Sequence, residues 1–95
     1  MEEDKMKLKE TREHLDRLDN AIVLLLAERL SLIPHVADYK IKHGILRNQP
    51  EREKEILLEK SKLGNKYGLR KKYVEDIFRR VIEESHIIEK KIMAK

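Results

Sequence analysis

Cysteine and tryptophan are absent, and the aromatic residues are limited to three tyrosines and one phenylalanine. Without cysteine the chain can form no disulfide, thiol nucleophile or thiolate metal site. Glycine occurs only three times and proline twice, and no glycine-rich loop follows a strand-like run, so a phosphate cradle is not expected. A large excess of one charge is also missing: 22 Lys and Arg face 18 Asp and Glu, giving a net charge of +4. The densest basic runs, Arg70-Lys71-Lys72 and Lys90-Lys91, have no aromatics set among them for base stacking, which argues against nucleic-acid binding. The longest uninterrupted apolar run, Ala21 to Ala27, falls well short of the ~20 residues that span a bilayer. Met1 to Glu10 is charged and has no apolar stretch of the signal-peptide kind. The expectation is a cytoplasmic chain with neither a membrane nor a nucleic-acid partner. His14, His35, His43 and His86 lack metal-ligand spacing and read as surface residues, and Ser31, Ser61 and Ser85 lack a base arranged to activate them. No metal centre, cofactor or covalent nucleophile is therefore expected.

What the chain does contain is amphipathic helix. It has 95 residues, 40% hydrophobic and 42% charged, which fits one small domain over residues 1–95 with a core of about 9–91 and heavily solvated outer faces. From about Lys5 to His43 apolar residues recur at helical spacing: Leu8, Leu15, Leu18, Ile22, Leu25, Leu26, Leu32, Ile33 and Val36. A helix of that length extends on the order of 55 Å. Gly44 is placed to stop it, and Pro34 interrupts its interior, where the lost hydrogen bond and ring clash predict a kink. A second helix starts at Asn48-Gln49-Pro50, with Glu51 and Glu53 favouring its positive end. It is expected to end near Leu63, with Gly64 as its C-terminal glycine and Asn65 to Gly68 as a turn. The third helix is expected from Lys71 to Ile92, on a stripe of Val74, Ile77, Phe78, Val81, Ile82, Ile88 and Ile92, with Arg70 a poor N-cap.

Two short helices cannot cover so long a first one, so much of its stripe would stay exposed in a lone chain. An apolar surface of that extent marks an interface, and a second copy lying antiparallel along it gives a two-fold dimer.

Polar residues intrude on the inward faces. Arg29 lies seven after Ile22 and seven before Val36, while Arg12 and Lys40 fall along the edge of the same stripe. Arg52 and Glu53 precede Ile56 by a turn, Ser85 follows Val81 by four residues, and Glu89 follows Ile82 by seven. Burying such cations unpaired is costly, so an anion must neutralise them. Four cations against two carboxylates suit a small ligand that carries more than one carboxylate. Plainer readings exist for five of the seven: Arg12 and Lys40 can snorkel, Ser85 can bond its own helix backbone, and Arg52 and Glu53 can be surface charges of a first turn. Arg29 is the hardest to dismiss, because Ile22 and Val36 pin its direction.

These residues resemble the all-helical (AroQ-class) chorismate mutases from about Lys9 to Lys91. The likeness rests on Thr11-Arg12, Leu15, Leu18-Asp19, Leu25-Leu26-Ala27-Glu28-Arg29, Lys40, Pro50-Glu51-Arg52-Glu53 and Val81-Ile82-Glu83-Glu84-Ser85. The resemblance implies an all-α, three-helix protomer with one very long N-terminal helix, in an intertwined antiparallel homodimer with two composite sites. It implies that chorismate, a dianion, is rearranged to prephenate without cofactor or metal. Arg12 would enter the partner's site and bind a carboxylate, and Arg29 would bind one within its own protomer. Lys40 would contact a carboxylate and the ether oxygen, Arg52 would support the anion-binding network, and Glu53 would accept the ring hydroxyl. Ser85 would help hold the ring carboxylate, and residue 89 would face the ether oxygen. Lys40, Glu89 and Arg29 are thus the expected catalytic groups.

The chain departs from the family's pattern at two of these positions. Many members carry Gln at position 89, where an ionised Glu89 would repel the ether oxygen and a protonated one would donate to it. Gln49 stands where Asp is common near the substrate hydroxyl. An isochorismate-pyruvate lyase of the same fold and a non-catalytic helical dimer that binds a small anion are the alternatives.

Overall fold

Three α-helices make up the fold, which is a computed structural model describing residues 1–94. Helix α1 is Glu2–Lys42, α2 is Pro50–Lys66 and α3 is Lys71–Met93. Acidic residues open α1 (Glu2, Glu3, Asp4) and Lys40 and Lys42 close it, each complementing the helix dipole at its end. The helix continues through Pro34.

α1 stops where a glycine was expected to stop it. Gly44 has φ +62°, the Gly44 N–H donates to the Ile41 carbonyl at 3.4 Å and the Ile45 N–H to the Lys40 carbonyl at 2.9 Å. This is the paired 5→2 and 6→1 bonding of a left-handed helix terminus. It turns the chain back beside Lys40, which matters for the site. α2 begins as expected, with Gln49 at the cap and Pro50 in the first turn, although Gln49 makes no side-chain cap bond. Arg70 likewise caps α3 without a side-chain bond.

The end of α2 corrects the sequence reading. Gly64 lies inside the helix, not at its end, and the left-handed terminus falls at Gly68, φ +79°. There the Leu69 N–H donates to the Gly64 carbonyl at 2.9 Å and the Gly68 N–H to the Asn65 carbonyl at 3.2 Å, repeating the pattern at Gly44. Gly64 serves packing instead: a Cβ at that position would meet Val74 Cγ2 at 2.7 Å.

By internal contacts the chain divides into Met1–Ser31 and a second unit beginning at Leu32. In the first unit the apolar stripe is uncovered: Leu15, Leu18, Ile22 and Leu25 are 50–64% exposed. In the second, α2 and α3 pack as an antiparallel hairpin joined by a short turn. Its buried apolar residues are Ile33, Ala37, Ile56 and Val74, and three polar side chains, Ser61, Ser85 and Glu89, are buried with them.

α1 is also long and apolar enough to cross a membrane by length and composition alone. The short run Ala21 to Ala27 had suggested otherwise, because the apolar character of this helix is spread over a longer stretch than any unbroken run shows. Core helices of soluble proteins meet the same criterion.

Candidate active site

The turn at Gly44 sets the geometry of the site. With Ile45 bonded back to the Lys40 carbonyl, the connector brings the Arg47 carbonyl within 2.9 Å of Lys40 Nζ. The same ammonium donates to Glu89 Oε1 of α3 at 3.0 Å, a contact between residues 49 apart in sequence. Both side chains are largely withdrawn from solvent, 13% exposed for Lys40 and 6% for Glu89. A lysine has three N–H donors, and the third has no acceptor among the described residues. Buried ion pairs gain little net stability, since desolvation offsets the attraction. Such a pair points to function more readily than to folding.

From Glu89 the polar network continues to His86. Glu89 Oε2 lies 3.5 Å from His86 Nδ1, which is also 3.2 Å from Arg47 Nη1. On the other side of the ring, His86 Nε2 is 2.6 Å from Glu53 Oε1 of α2. The end of α1, the connector, α2 and α3 each supply at least one member.

Beside this network is an open groove of about 420 Å³, lined by His35, Val36, Tyr39, Lys40, Ile45, Gln49 and Arg52. Gln49 is held there by two bonds from its own amide, to the Leu46 carbonyl at 3.0 Å and the Asn48 carbonyl at 3.1 Å.

Of the residues singled out in the sequence, the second unit brings Lys40, Glu53 and Glu89 into one network and places Gln49 and Arg52 on the groove with Lys40. Arg52 is exposed and pairs with Glu55 at 3.0 Å. Ser85 is buried, and its hydroxyl donates to the Val81 carbonyl at 3.1 Å, the backbone bond that a mid-helix serine commonly makes. Arg12 and Arg29 belong to the first unit, Arg12 exposed and Arg29 half-buried.

His86 corrects another expectation. It is half-buried and bonded on both nitrogens, not a surface residue. The signal was present in its spacing: His86 follows Ile82 by four residues and precedes Glu89 by three, on the inward stripe of α3. Arg47 was missed because it lies in the connector, where helical periodicity says nothing about direction.

The fold and these paired charges define an all-helical protein with a polar site assembled from all three helices. A family model described as chorismate mutase type II matches residues 11–90, and the chain belongs to that family. The chorismate mutase of Methanocaldococcus jannaschii is 38% identical over 87 residues, covering 92% of this chain and 88% of the relative. The bifunctional chorismate mutase/prephenate dehydratase of Buchnera aphidicola subsp. Acyrthosiphon pisum is 38% identical over 84 residues, and the T-protein of Enterobacter agglomerans 36% over 78. The chain covers only 22% and 21% of those two proteins, about a fifth of each. No solved structure gives a significant match.

Proposed function

We propose that this chain is a chorismate mutase, converting chorismate to prephenate by an intramolecular [3,3] rearrangement. One observation supports the reading above others. Lys40, which lines the open groove, donates to Glu89 at 3.0 Å, and these are the two groups that the resemblance assigns to the ether oxygen.

The reaction breaks the ether C–O bond as a C–C bond forms between the enolpyruvyl carbon and the ring. It needs no nucleophile, so the site has two tasks. The first is to hold the side chain over the ring in its reactive shape, which prepositioned carboxylate clamps accomplish. Arg29, and Arg12 from a second copy, are assigned to the clamps, with Arg52 and Ser85 in support. The second is to stabilise negative charge developing on the ether oxygen. Lys40 serves here through its third N–H. Glu89 contributes as a donor when it carries a proton. Glu53, with Gln49 nearby, takes the ring hydroxyl.

The functional unit in this reading is a cytoplasmic homodimer. The uncovered Leu15, Leu18, Ile22 and Leu25 supply the surface, and a two-fold partner would cover them and insert its Arg12. Burial against protein also suits Glu28 and Arg29 better than a bilayer would, where each charge costs roughly 2.5–3.5 kcal/mol at the centre of a helix.

The rival within the fold, isochorismate-pyruvate lyase, is separated by its products. Purified protein is given chorismate and isochorismate in separate reactions. Prephenate from chorismate, without pyruvate release from isochorismate, is the expected result. Pyruvate from isochorismate with no prephenate would replace this proposal with the lyase.

A further inference from the structure

The mechanism above makes no use of His86 or Arg47, although both touch its groups. A guanidinium carries only donors, so the 3.2 Å contact from Arg47 Nη1 to His86 Nδ1 is a hydrogen bond only when Nδ1 offers its lone pair. The ring proton then resides on Nε2, which donates to Glu53 Oε1 at 2.6 Å. One tautomer satisfies both neighbours, and the reverse tautomer would set an N–H against Arg47 and a bare nitrogen against a carboxylate. The charged groups around the imidazole are Glu53 from α2, Glu89 from α3, Lys40 from α1 and Arg47 from the connector.

We propose that His86 is a positioning residue for Glu53. Arg47 fixes the neutral Nε2–H tautomer, and that N–H holds Glu53 Oε1 so that Oε2 is presented to the hydroxyl of a bound ring. Oε2 has no hydrogen-bond partner among the described residues, so one oxygen is anchored and the other is left for ligand. A carboxylate already oriented loses less freedom when substrate arrives, which tightens binding. The proposal rests on the mutase reading for the identity of the hydroxyl, but not for the tautomer. No bond to substrate is made by His86. A second ring proton would convert Nδ1 from acceptor to donor. Arg47 would then be repelled, and Glu89 Oε2, 3.5 Å away, would become the nearer partner. The Nε2–H bond to Glu53 is present in both forms, so only the Arg47 contact belongs to the neutral ring.

The test combines spectroscopy with kinetics on the full chain. Nitrogen-15 NMR of histidine-labelled protein reads the tautomer directly in wild type and in Arg47→Met. Steady-state kinetics with chorismate compare wild type, His86→Leu and His86→Gln. Expected are an Nε2–H ring in wild type that Arg47→Met loses, and a KM for His86→Leu raised roughly 10- to 100-fold with kcat little changed. His86→Gln keeps an N–H that reaches Glu53, so it recovers most of the loss. An Nδ1–H ring in wild type, an unchanged KM in His86→Leu, or a glutamine variant as poor as the leucine variant would each overturn the proposal. If His86→Leu does not fold, the tautomer and the glutamine variant decide. If wild type leaves chorismate untouched, the mutase reading fails. The tautomer assignment is then judged by NMR alone: an Nε2–H ring lost in Arg47→Met sustains it, and an Nδ1–H ring ends it.

Discussion

Glu89 has two neighbours with different demands. Its Oε1 accepts from the Lys40 ammonium, and its Oε2 faces the His86 ring at 3.5 Å. The ether oxygen of the substrate adds a third demand, because it needs a donor and a carboxylate donates only when protonated. Glutamine would supply a neutral N–H at every pH. Glu89→Gln is therefore expected to remain active, with a kcat at least equal to that of wild type. Saturation kinetics on both proteins checks this, and a kcat reduced 10-fold or more, about 1.4 kcal/mol, would mean that the carboxyl group itself is needed. Lys40 and Glu89 were legible in the sequence because both stand among apolar residues at helical spacing, where a charge needs a partner. That the partner of each is the other could not be read, since 49 residues separate them and only the turn at Gly44 and the packing of α3 close the distance. His86 was legible in part, and the connector residue Arg47 not at all.

The helices follow from local chemistry at their starts and from glycine at their ends. Both left-handed termini, at Gly44 and Gly68, use the same pair of backbone bonds. Sequence reading found the first and misplaced the second, because Gly64 and Gly68 are one helical turn apart and either could end α2. Packing decides between them. At Gly64 the buried Val74 methyl occupies the place of a Cβ, and a β-branched valine has little rotamer freedom with which to withdraw. Gly64→Ala would gain about 1 kcal/mol of helix propensity, but overpacking of this kind costs about 1–3 kcal/mol. The net expectation is a loss on the order of 1 kcal/mol, read as a lower urea midpoint with unchanged slope. A stabilised variant would show that α2 and α3 can move apart at that crossing without penalty.

The exposure of Leu15, Leu18, Ile22 and Leu25 leaves the first unit with an apolar face out of keeping with a lone soluble chain. The proposed dimer covers that face and divides each active site between two chains, with Arg12 from one and Arg29 from the other. Complementation tests this division. Arg12→Ala and Arg29→Ala, each nearly inactive alone, would regain activity when unfolded together and refolded as a mixture, since a mixed dimer holds one intact site of two. With half the dimers mixed, about a quarter of wild-type activity is expected. No recovery, with mixed dimers shown to form, would place both arginines in one protomer's site. The central claim, that this chain rearranges chorismate, is tested most directly by the loss of chorismate absorbance with purified wild type and Arg29→Ala side by side. Chorismate consumed by wild type with matching gain of prephenate, and a rate at least about 100-fold lower in Arg29→Ala, is the predicted result, since a lost charged clamp is worth about 3 kcal/mol or more. No consumption by wild type, or equal rates in the two proteins, would contradict it.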